Sequence, residues 1–161
     1  SGAGNVDYQG FYSGRSLRLN EWQHVALVRD LGAMKLRWYF DGELVNEADA
    51  LFPAAVAGNN SFYIGLGYVS NVAGEMDEVR VWNVARTAQE VEAGAFARVA
   101  GDSPGLAAYW NFDEGAGLTA RGLTVNPLDG SLGGGSPAGA PEWVSSWAPF
   151  EDAELTPEDT A

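Results

Sequence analysis

The strongest pattern in this chain is Gly74-Glu75-Met76-Asp77-Glu78-Val79-Arg80-Val81-Trp82-Asn83. Apolar and polar side chains alternate along it, which predicts a half-buried β-strand. Successive strand residues point to opposite faces, so Asp77 shares one face with Val79 and Val81. A carboxylate beside two core valines is costly unless something neutralises it. An arginine, a ring of backbone N–H groups or a bound cation could do so, and we favour the cation.

Size and charge limit the kinds of protein that this chain can be. It has 161 residues, with 22 acidic and 9 basic side chains and a formal charge of -13. We expect one domain over residues 1–150 and an acidic tail or linker over 151–161, where the pattern loses its periodicity. The acidic surface disfavours nucleic acid and anionic membranes as partners, and no run is apolar and long enough to insert into a bilayer. Cysteine is absent, which excludes disulfides and thiolate metal sites.

The rest of the chain predicts an all-β domain with many tight turns, because its 21 glycines are plentiful and helix-forming runs are rare. Asp41-Gly42 is a strong two-residue hairpin signal. One helix is expected over 88–99, where Thr87 and Glu90 form a capping box. The predicted strands cover residues 5–12, 15–19, 21–30 (placed centrally in its sheet), 35–40, 43–45, 61–67, 74–83, 106–115, 129–132 and 142–144.

Several of these segments together resemble the laminin-G-like branch of the concanavalin A-like lectin/glucanase superfamily. The matching motifs are Trp22-Gln23-His24-Val25-Ala26, Tyr39-Phe40-Asp41-Gly42, Tyr63-Ile64-Gly65, the stretch 74–83, the helix start at 87–91, and Tyr109-Trp110-Asn111-Phe112-Asp113-Glu114-Gly115. The resemblance implies a two-sheet antiparallel jelly-roll sandwich with one short helix. It also implies a place among the modules of large bacterial surface adhesins.

The order of the motifs departs from the family pattern. The Tyr-Trp-x-Phe-Asp-Glu-Gly strand normally opens such a domain, whereas here it follows the helix, at 109–115. Three arrangements account for this: a circular permutation, a domain split by an inserted neighbour, or the end of one module followed by the start of the next. We favour a sandwich that closes within this chain, because the sheet needs that strand.

The resemblance also implies a structural calcium ion where the 74–83 and 106–115 strands meet. Calcium takes about 6–8 oxygen ligands. Asp77 would supply one carboxylate, Asp113 or Glu114 another, and main-chain carbonyls the rest. The alternative is a salt bridge from Asp77 to an arginine such as Arg80 or Arg86. One departure weakens the metal site: Arg121-Gly122 stands where the family usually has an aspartate.

Catalysis is not expected, although the superfamily includes glucanases. Retaining glucanases carry two carboxylates on one strand in a Glu-x-Asp-x-x-Glu or Glu-x-Asp-x-Glu pattern, about 5–5.5 Å apart. Glu75 and Asp77 begin that pattern, but Val79 and Arg80 occupy the positions of the second glutamate. The single histidine, His24, is expected to pack or to form a surface hydrogen bond. We therefore assign no catalytic residue.

Sugar binding is the functional hypothesis that the resemblance supports, because aromatic faces stack on sugar rings and polar groups bind hydroxyls. Trp22, Trp38 and Trp110 follow core patterns and are left out. The candidate ligand-binding residues are Tyr39, Tyr68, Trp82, Trp147, Asn59, Asn60 and Asn71, with Asn46 as a further loop partner. For any single aromatic, packing in the core is the competing explanation.

Two functions thus remain. The first is an extracellular or cell-surface module that binds glycans on a calcium-stabilised sandwich. The second is a structural module that positions a neighbouring domain of the same polypeptide and binds no sugar. Exposure separates them, since an open aromatic beside unpaired polar groups favours binding, and buried tryptophans favour a scaffold.

Overall fold

The computed structural model of the protein describes residues 9–52, 61–66 and 71–150. These residues are mostly β, with antiparallel sheets and little helix. The elements are β1 (Val25–Asp30), β2 (Lys35–Phe40), β3 (Glu43–Asp49), β4 (Val79–Trp82), α1 (Ala88–Gly94), β5 (Leu106–Trp110), β6 (Thr119–Ala120) and β7 (Gly130–Ser131), followed by 3-10 turns at Leu132–Gly135 and Pro137–Gly139. Within this part of the chain, every helix is too short or too polar to cross a membrane.

The first sheet is an antiparallel meander in the order β1-β2-β3. Its second turn confirms the hairpin signal, since Asp41 and Gly42 have φ angles of 51° and 83°. The Asp41 carboxylate also accepts a 3.0 Å hydrogen bond from the backbone N–H of His24. The prediction of a central strand at 21–30 was wrong for the described sheet, because β1 lies at its edge and leaves Val25 and Leu27 exposed.

The second sheet pairs β4 with β5, and a third, short pair joins β6 to β7. In the antiparallel register, Val79 lies opposite Trp110 and Arg80 opposite Tyr109. Paired residues of a ladder project to the same face. The β4–β5 ladder therefore has an apolar face that carries Trp110 and a charged face that carries Tyr109.

The helix confirms the capping box but is shorter than expected. The Thr87 side chain accepts a hydrogen bond from the Glu90 N–H, and the Glu90 carboxylate accepts one from the Thr87 N–H. The helix ends at Gly94 instead of Val99. At and after this end, the Arg80 guanidinium donates to the carbonyls of Gly94 and Ala97 and so satisfies two carbonyl groups that α1 leaves without a helical partner.

Two small hydrophobic clusters hold these elements together. The first packs Val28 and Tyr39 of the meander against Val91 of α1. The second lies on the apolar face of the β4–β5 ladder and contains Ala108, Trp110, Ala120, Val79, Val81, Phe112 and Leu132. The predicted shared face of Val79 and Val81 is thus confirmed, and it belongs to the core.

Several predicted strands were wrong. Residues 9–12, 15–19, 61–66 and 142–144 form no strand. The predicted strands 21–30, 74–83, 106–115 and 129–132 are reduced to β1, β4, β5 and β7, while β3 extends from the predicted 43–45 to Asp49. Side chains satisfy backbone groups in place of a ladder: the Arg18 N–H, for example, donates to the Gln23 amide oxygen. Glu78 has a φ of 53°, which breaks the extended geometry just before β4. Residues 5–8 and 67 lie outside the described residues.

Candidate ligand-binding and metal site

The buried acid of the 74–83 stretch is Glu78, whose side chain is only 3% exposed. Its Oε2 atom lies 2.6 Å from Nη2 of Arg80 and accepts a 2.7 Å hydrogen bond from the Tyr109 hydroxyl. A buried carboxylate is stable only when it is paired and hydrogen-bonded, and Arg80 and Tyr109 provide both. Arg80, which the sequence suggested as a salt-bridge partner of Asp77, therefore pairs with Glu78.

Arg98 extends this charged face towards the end of β5. Its Nη1 atom lies 2.9 Å from the Asp113 carboxylate and 3.8 Å from Glu78 Oε1. The Asn111 side-chain amide donates to the same Asp113 oxygen at 2.5 Å. The network thus ties the residues that precede β4, those that follow α1 and those that follow β5.

Asp77 occupies a different environment. Its Oδ1 atom accepts a 2.8 Å hydrogen bond from the Glu78 N–H, while Oδ2 is buried without a hydrogen-bond partner. Burial raises the pKa of Asp77, and the charges of Glu78 and Asp113 add to that rise. The interaction with the Ser146 side chain and the bond from the Glu78 N–H partly lower the pKa. The salt-bridge alternative is wrong for this residue, since Arg80 pairs with Glu78 and Arg86 with Glu90.

The other two predicted metal ligands differ from each other. Asp113 is ion-paired to Arg98 through its Oδ2 atom, which also accepts the bond from the Asn111 amide. Glu114 accepts a 2.6 Å bond from the Arg121 N–H at Oε1, and its Oε2 atom is buried without a partner. Over the described ranges, no set of three or more acidic or histidine side chains is arranged to hold a metal ion. Asp77 and Glu114 therefore each keep a buried oxygen without a hydrogen-bond partner among the described residues, whereas the ion pair of Asp113 uses only its Oδ2 atom.

The predicted aromatic ligands have three different outcomes. Tyr39 is 2% exposed and packs against Val28 and Val91, so its assignment to sugar binding was wrong: α1 covers it. The Arg86 guanidinium lies 4.1 Å above the Trp82 ring and covers one of its faces. Trp147 is 62% exposed, and its ring meets that of Trp22 edge-on at 5.9 Å.

The predicted polar ligand-binding residues lie in different places. Asn71 is exposed, as a ligand-binding residue requires. Asn46 was a further loop partner, but it lies in β3 and donates to the Tyr12 carbonyl. Tyr68, Asn59 and Asn60 lie outside the described residues.

Two residues that the sequence analysis did not assign to the site lie in or beside it. Ser146 precedes the exposed Trp147 and interacts with Asp77, so it links the aromatic to the acidic residues. His24 is partly buried, its Nδ1 atom has no hydrogen-bond partner, and burial together with the Arg80 charge lowers its pKa. The alternation of Glu78 and Arg80 could have indicated their pairing, but no sequence signal placed Ser146.

Comparison with solved structures shows a shared fold with a protein of known structure. A candidate carbohydrate binding protein from Bacteroides ovatus aligns with a TM-score of 0.58 and 28% identity, over 73% of this chain and 38% of that chain. The present chain thus spans less than half of that protein. An S-layer domain-containing protein from Clostridium thermocellum has a TM-score of 0.44 and 29% identity, over 52% of this chain and 43% of that chain.

The family comparison agrees with the motifs that lie within residues 1–92 and does not reach the motif at 109–115. No curated protein matches the chain. A laminin G family model, described as concanavalin A-like lectin/glucanases superfamily, matches residues 1–92, which end within α1. That match covers more than half of the 161 residues. The chain therefore belongs to the concanavalin A-like lectin/glucanases superfamily, in its laminin-G-like branch.

Proposed function

We propose that the protein is an extracellular carbohydrate-binding module with no catalytic residues. The observation that carries this proposal is the exposed indole of Trp147, held edge-on by Trp22 beside polar groups. Family membership and the Bacteroides ovatus neighbour support the same ligand class. Fold alone does not establish function, so the proposal depends on this site.

The Trp147 surface suits a sugar ring for a physical reason. Sugar rings present C–H groups on one side, which pack on an aromatic face, and hydroxyls at the rim. The edge-on contact with Trp22 fixes the Trp147 ring while leaving most of it in water. Ser146 precedes Trp147 in the sequence, and Asp77 interacts with the Ser146 side chain. Both residues therefore offer polar groups that sugar hydroxyls could bind.

We also propose that calcium stabilises the module at the acidic residues. The buried oxygens without a partner on Asp77 and on Glu114 support this, because a hard cation is the kind of ligand that such an oxygen accepts. A bound calcium ion would supply positive charge where burial now disfavours the ionised Asp77. Asp77 would supply one carboxylate ligand and Asp113 or Glu114 another, with main-chain carbonyls completing the shell.

The architecture proposed for the module is a two-sheet jelly-roll sandwich over residues 1–150, with 151–161 as an acidic linker to a neighbouring domain. The separate β1–β3 and β4–β5 sheets would form its two layers. Surface adhesins are the proposed context, which the absence of cysteine and the charge of -13 support.

A glycan array with wild-type protein tests the function. The Trp147→Ala variant should lose at least tenfold in affinity for any glycan bound, because the stacking face is removed. Tyr12→Ala is the matched control, since Tyr12 is 83% exposed and lies in another segment. Absence of signal at every calcium concentration would overturn the proposal.

Calcium is tested separately by thermal unfolding. The melting temperature of the wild type should rise when calcium is added to chelated protein, and that of Asp77→Asn should not. A wild-type melting temperature that is independent of calcium would contradict the metal site without affecting the sugar proposal.

The scaffold function remains the second candidate because of β1. This edge strand exposes Val25 (41%) and Leu27 (53%), an apolar surface suited to packing against a neighbouring domain. A protein that binds no glycan but is stabilised by fusion to its neighbouring domain would support the scaffold.

A further inference from the structure

A polar cleft of about 260 Å³ lies at the start of β5, away from the site described above. Its lining includes Asn83, Asp102, Ser103, Leu106, Thr124 and Asn126. We propose that this cleft is a second ligand site, for a single neutral sugar residue. The ligand class rests on the proposed function, whereas the location rests on the cleft itself.

The walls of the cleft are built by two turns and held by backbone contacts. One wall is the turn in which the Ser103 N–H donates to the Ala100 carbonyl and the Leu106 N–H to the Ser103 carbonyl, both at 3.0 Å. The other wall is anchored to β5 by the Leu123 N–H, which donates to the Tyr109 carbonyl at 2.9 Å. Both walls are therefore fixed to the same strand before any ligand arrives.

Gly101 allows the two walls to meet. A Cβ atom at this position would lie 1.8 Å from the Leu123 carbonyl oxygen, which no side chain tolerates. The absence of a side chain at Gly101 therefore lets the backbones of the two walls approach closely. Preformed walls of this kind lower the entropic cost of binding a small ligand.

Among the described residues, some polar side chains in the cleft form hydrogen bonds within the protein, and others form none. The hydroxyls of Ser103 and Thr124 donate to the carbonyls of Ala100 and Asn126. In the described part of the chain, the side chains of Asn83, Asp102 and Asn126 make no hydrogen bond or ion pair. The two amides can donate and accept hydrogen bonds, and the carboxylate can accept them. Each sugar hydroxyl both donates and accepts, so neighbouring hydroxyls can pair with all three groups.

The lining also excludes other ligand classes. It contains no lysine, arginine or histidine, and Asp102 adds negative charge, so phosphate, sulfate and acidic sugars are disfavoured. It contains no aromatic ring on which a nucleobase could stack. Leu106 and Val125 supply a small apolar surface for C–H groups. Drug-sized ligands occupy about 300–1,000 Å³, so this cleft suits a smaller ligand.

The cleft is distinct from the Trp147 surface. Leu106 begins β5 and lines the cleft, whereas Asp113 follows the other end of the strand. The Asp113 charge acts on Asp77, and Asp77 interacts with Ser146, the residue before Trp147. At about 3.4 Å per residue, the strand separates its two ends by roughly 14 Å. One ligand ring therefore cannot occupy both places.

The experiment is a ¹H–¹⁵N titration of the full chain with free glucose, galactose, mannose and N-acetylglucosamine, and with N-acetylneuraminic acid as the charged probe. We expect at least one neutral sugar to shift the amide signals of residues 101–103 and 124–126. Affinity should fall at least tenfold in Asp102→Asn and in Asn126→Ala, which a loss of one hydrogen bond can produce. It should not change in the exposed control Glu142→Ala.

The outcomes separate the two proposals. Shifts confined to residues near Trp147, with affinity unaffected by Asp102→Asn and Asn126→Ala, would overturn the cleft and leave the proposed function standing. Absence of binding by every neutral sugar, here and on the glycan array, would overturn both. Tighter binding of N-acetylneuraminic acid than of the neutral sugars would also overturn the cleft as a neutral site.

Discussion

The hydroxyl of Tyr109 donates a 2.7 Å hydrogen bond to Oε2 of Glu78, across 31 residues of sequence. Both groups are buried, Tyr109 with 4% of its surface exposed and the Glu78 side chain with 3%. Burial raises the pKa of Tyr109, and the hydrogen bond to the Glu78 carboxylate raises it further, so the phenol keeps its proton. This contact joins β5 to the residue that precedes β4.

Replacing Tyr109 with phenylalanine should destabilise the protein by about 1–3 kcal/mol, because it removes a hydrogen bond from a buried carboxylate. Urea unfolding measures the change in the free energy of unfolding. Tyr63→Phe is the control, since Tyr63 is 63% exposed and should show almost no change. Equal stabilities of Tyr109→Phe and wild type would show that the bond contributes nothing.

Asp77 should make stability fall as pH rises in calcium-free buffer. Burial raises its pKa above the ordinary value of 3.8, so the folded state holds this proton more tightly than the unfolded state. The stabilising effect is complete below that ordinary value and is lost as pH rises through the raised value. Asp77→Asn should therefore be more stable relative to wild type at pH 7 than at pH 3, measured by urea unfolding with chelator. A difference that does not vary with pH would contradict the burial of this carboxyl.

His24 should make the stability of the protein fall as pH falls, which is the opposite of the effect of Asp77. Burial, with the Arg80 charge, lowers its pKa below 6.5, although the Asp41 charge partly opposes this. The folded state favours neutral His24, so stability is lost as pH falls from 6.5 through the lowered pKa. Because His24 is the only histidine, its ring proton gives a single NMR titration curve. A midpoint at or above 6.5 would contradict the prediction, and His24→Gln should remove the pH dependence of stability in this range.

Gly42 is expected to tolerate alanine less well than Gly14. Both have positive φ angles, 83° and 74°, so both substitutions carry a left-handed penalty of roughly 1–2 kcal/mol. A Cβ atom on Gly42 would also lie 2.9 Å from the Cα atom of Glu92 in α1, whereas nothing lies within 4 Å at Gly14. Thermal unfolding should thus show a larger loss for Gly42→Ala. Similar losses would mean that α1 can shift away from the turn.

Sequence patterns predicted the locally determined parts of the fold. The Asp41-Gly42 turn and the Thr87–Glu90 capping box form as expected, because each depends on groups within a few residues. The apolar face of Val79 and Val81 was also predicted, since alternation in a strand sets it directly. Trp147 was named as a candidate ligand-binding residue, but its exposure could not be read from the sequence.

Long-range packing decided what the patterns could not. Tyr39 looked like a candidate ligand contact, but α1, about fifty residues later in the chain, covers it. The pattern placed a costly carboxylate at Asp77, which is partly buried as expected, but it did not indicate that the Glu78 carboxylate beside it is buried against Tyr109 as well. The cleft beside Asp102 is likewise formed by turns twenty residues apart.

The sequence by itself determined the family, the turns, the helix start and the apolar strand face, because short-range geometry and side-chain alternation act within a few residues. Only the tertiary structure decided which acid is buried, which aromatic remains in water and where the polar cleft forms. Those properties depend on which distant segments pack together, and burial changes the free energy of a charge or a ring far more than its sequence neighbours do.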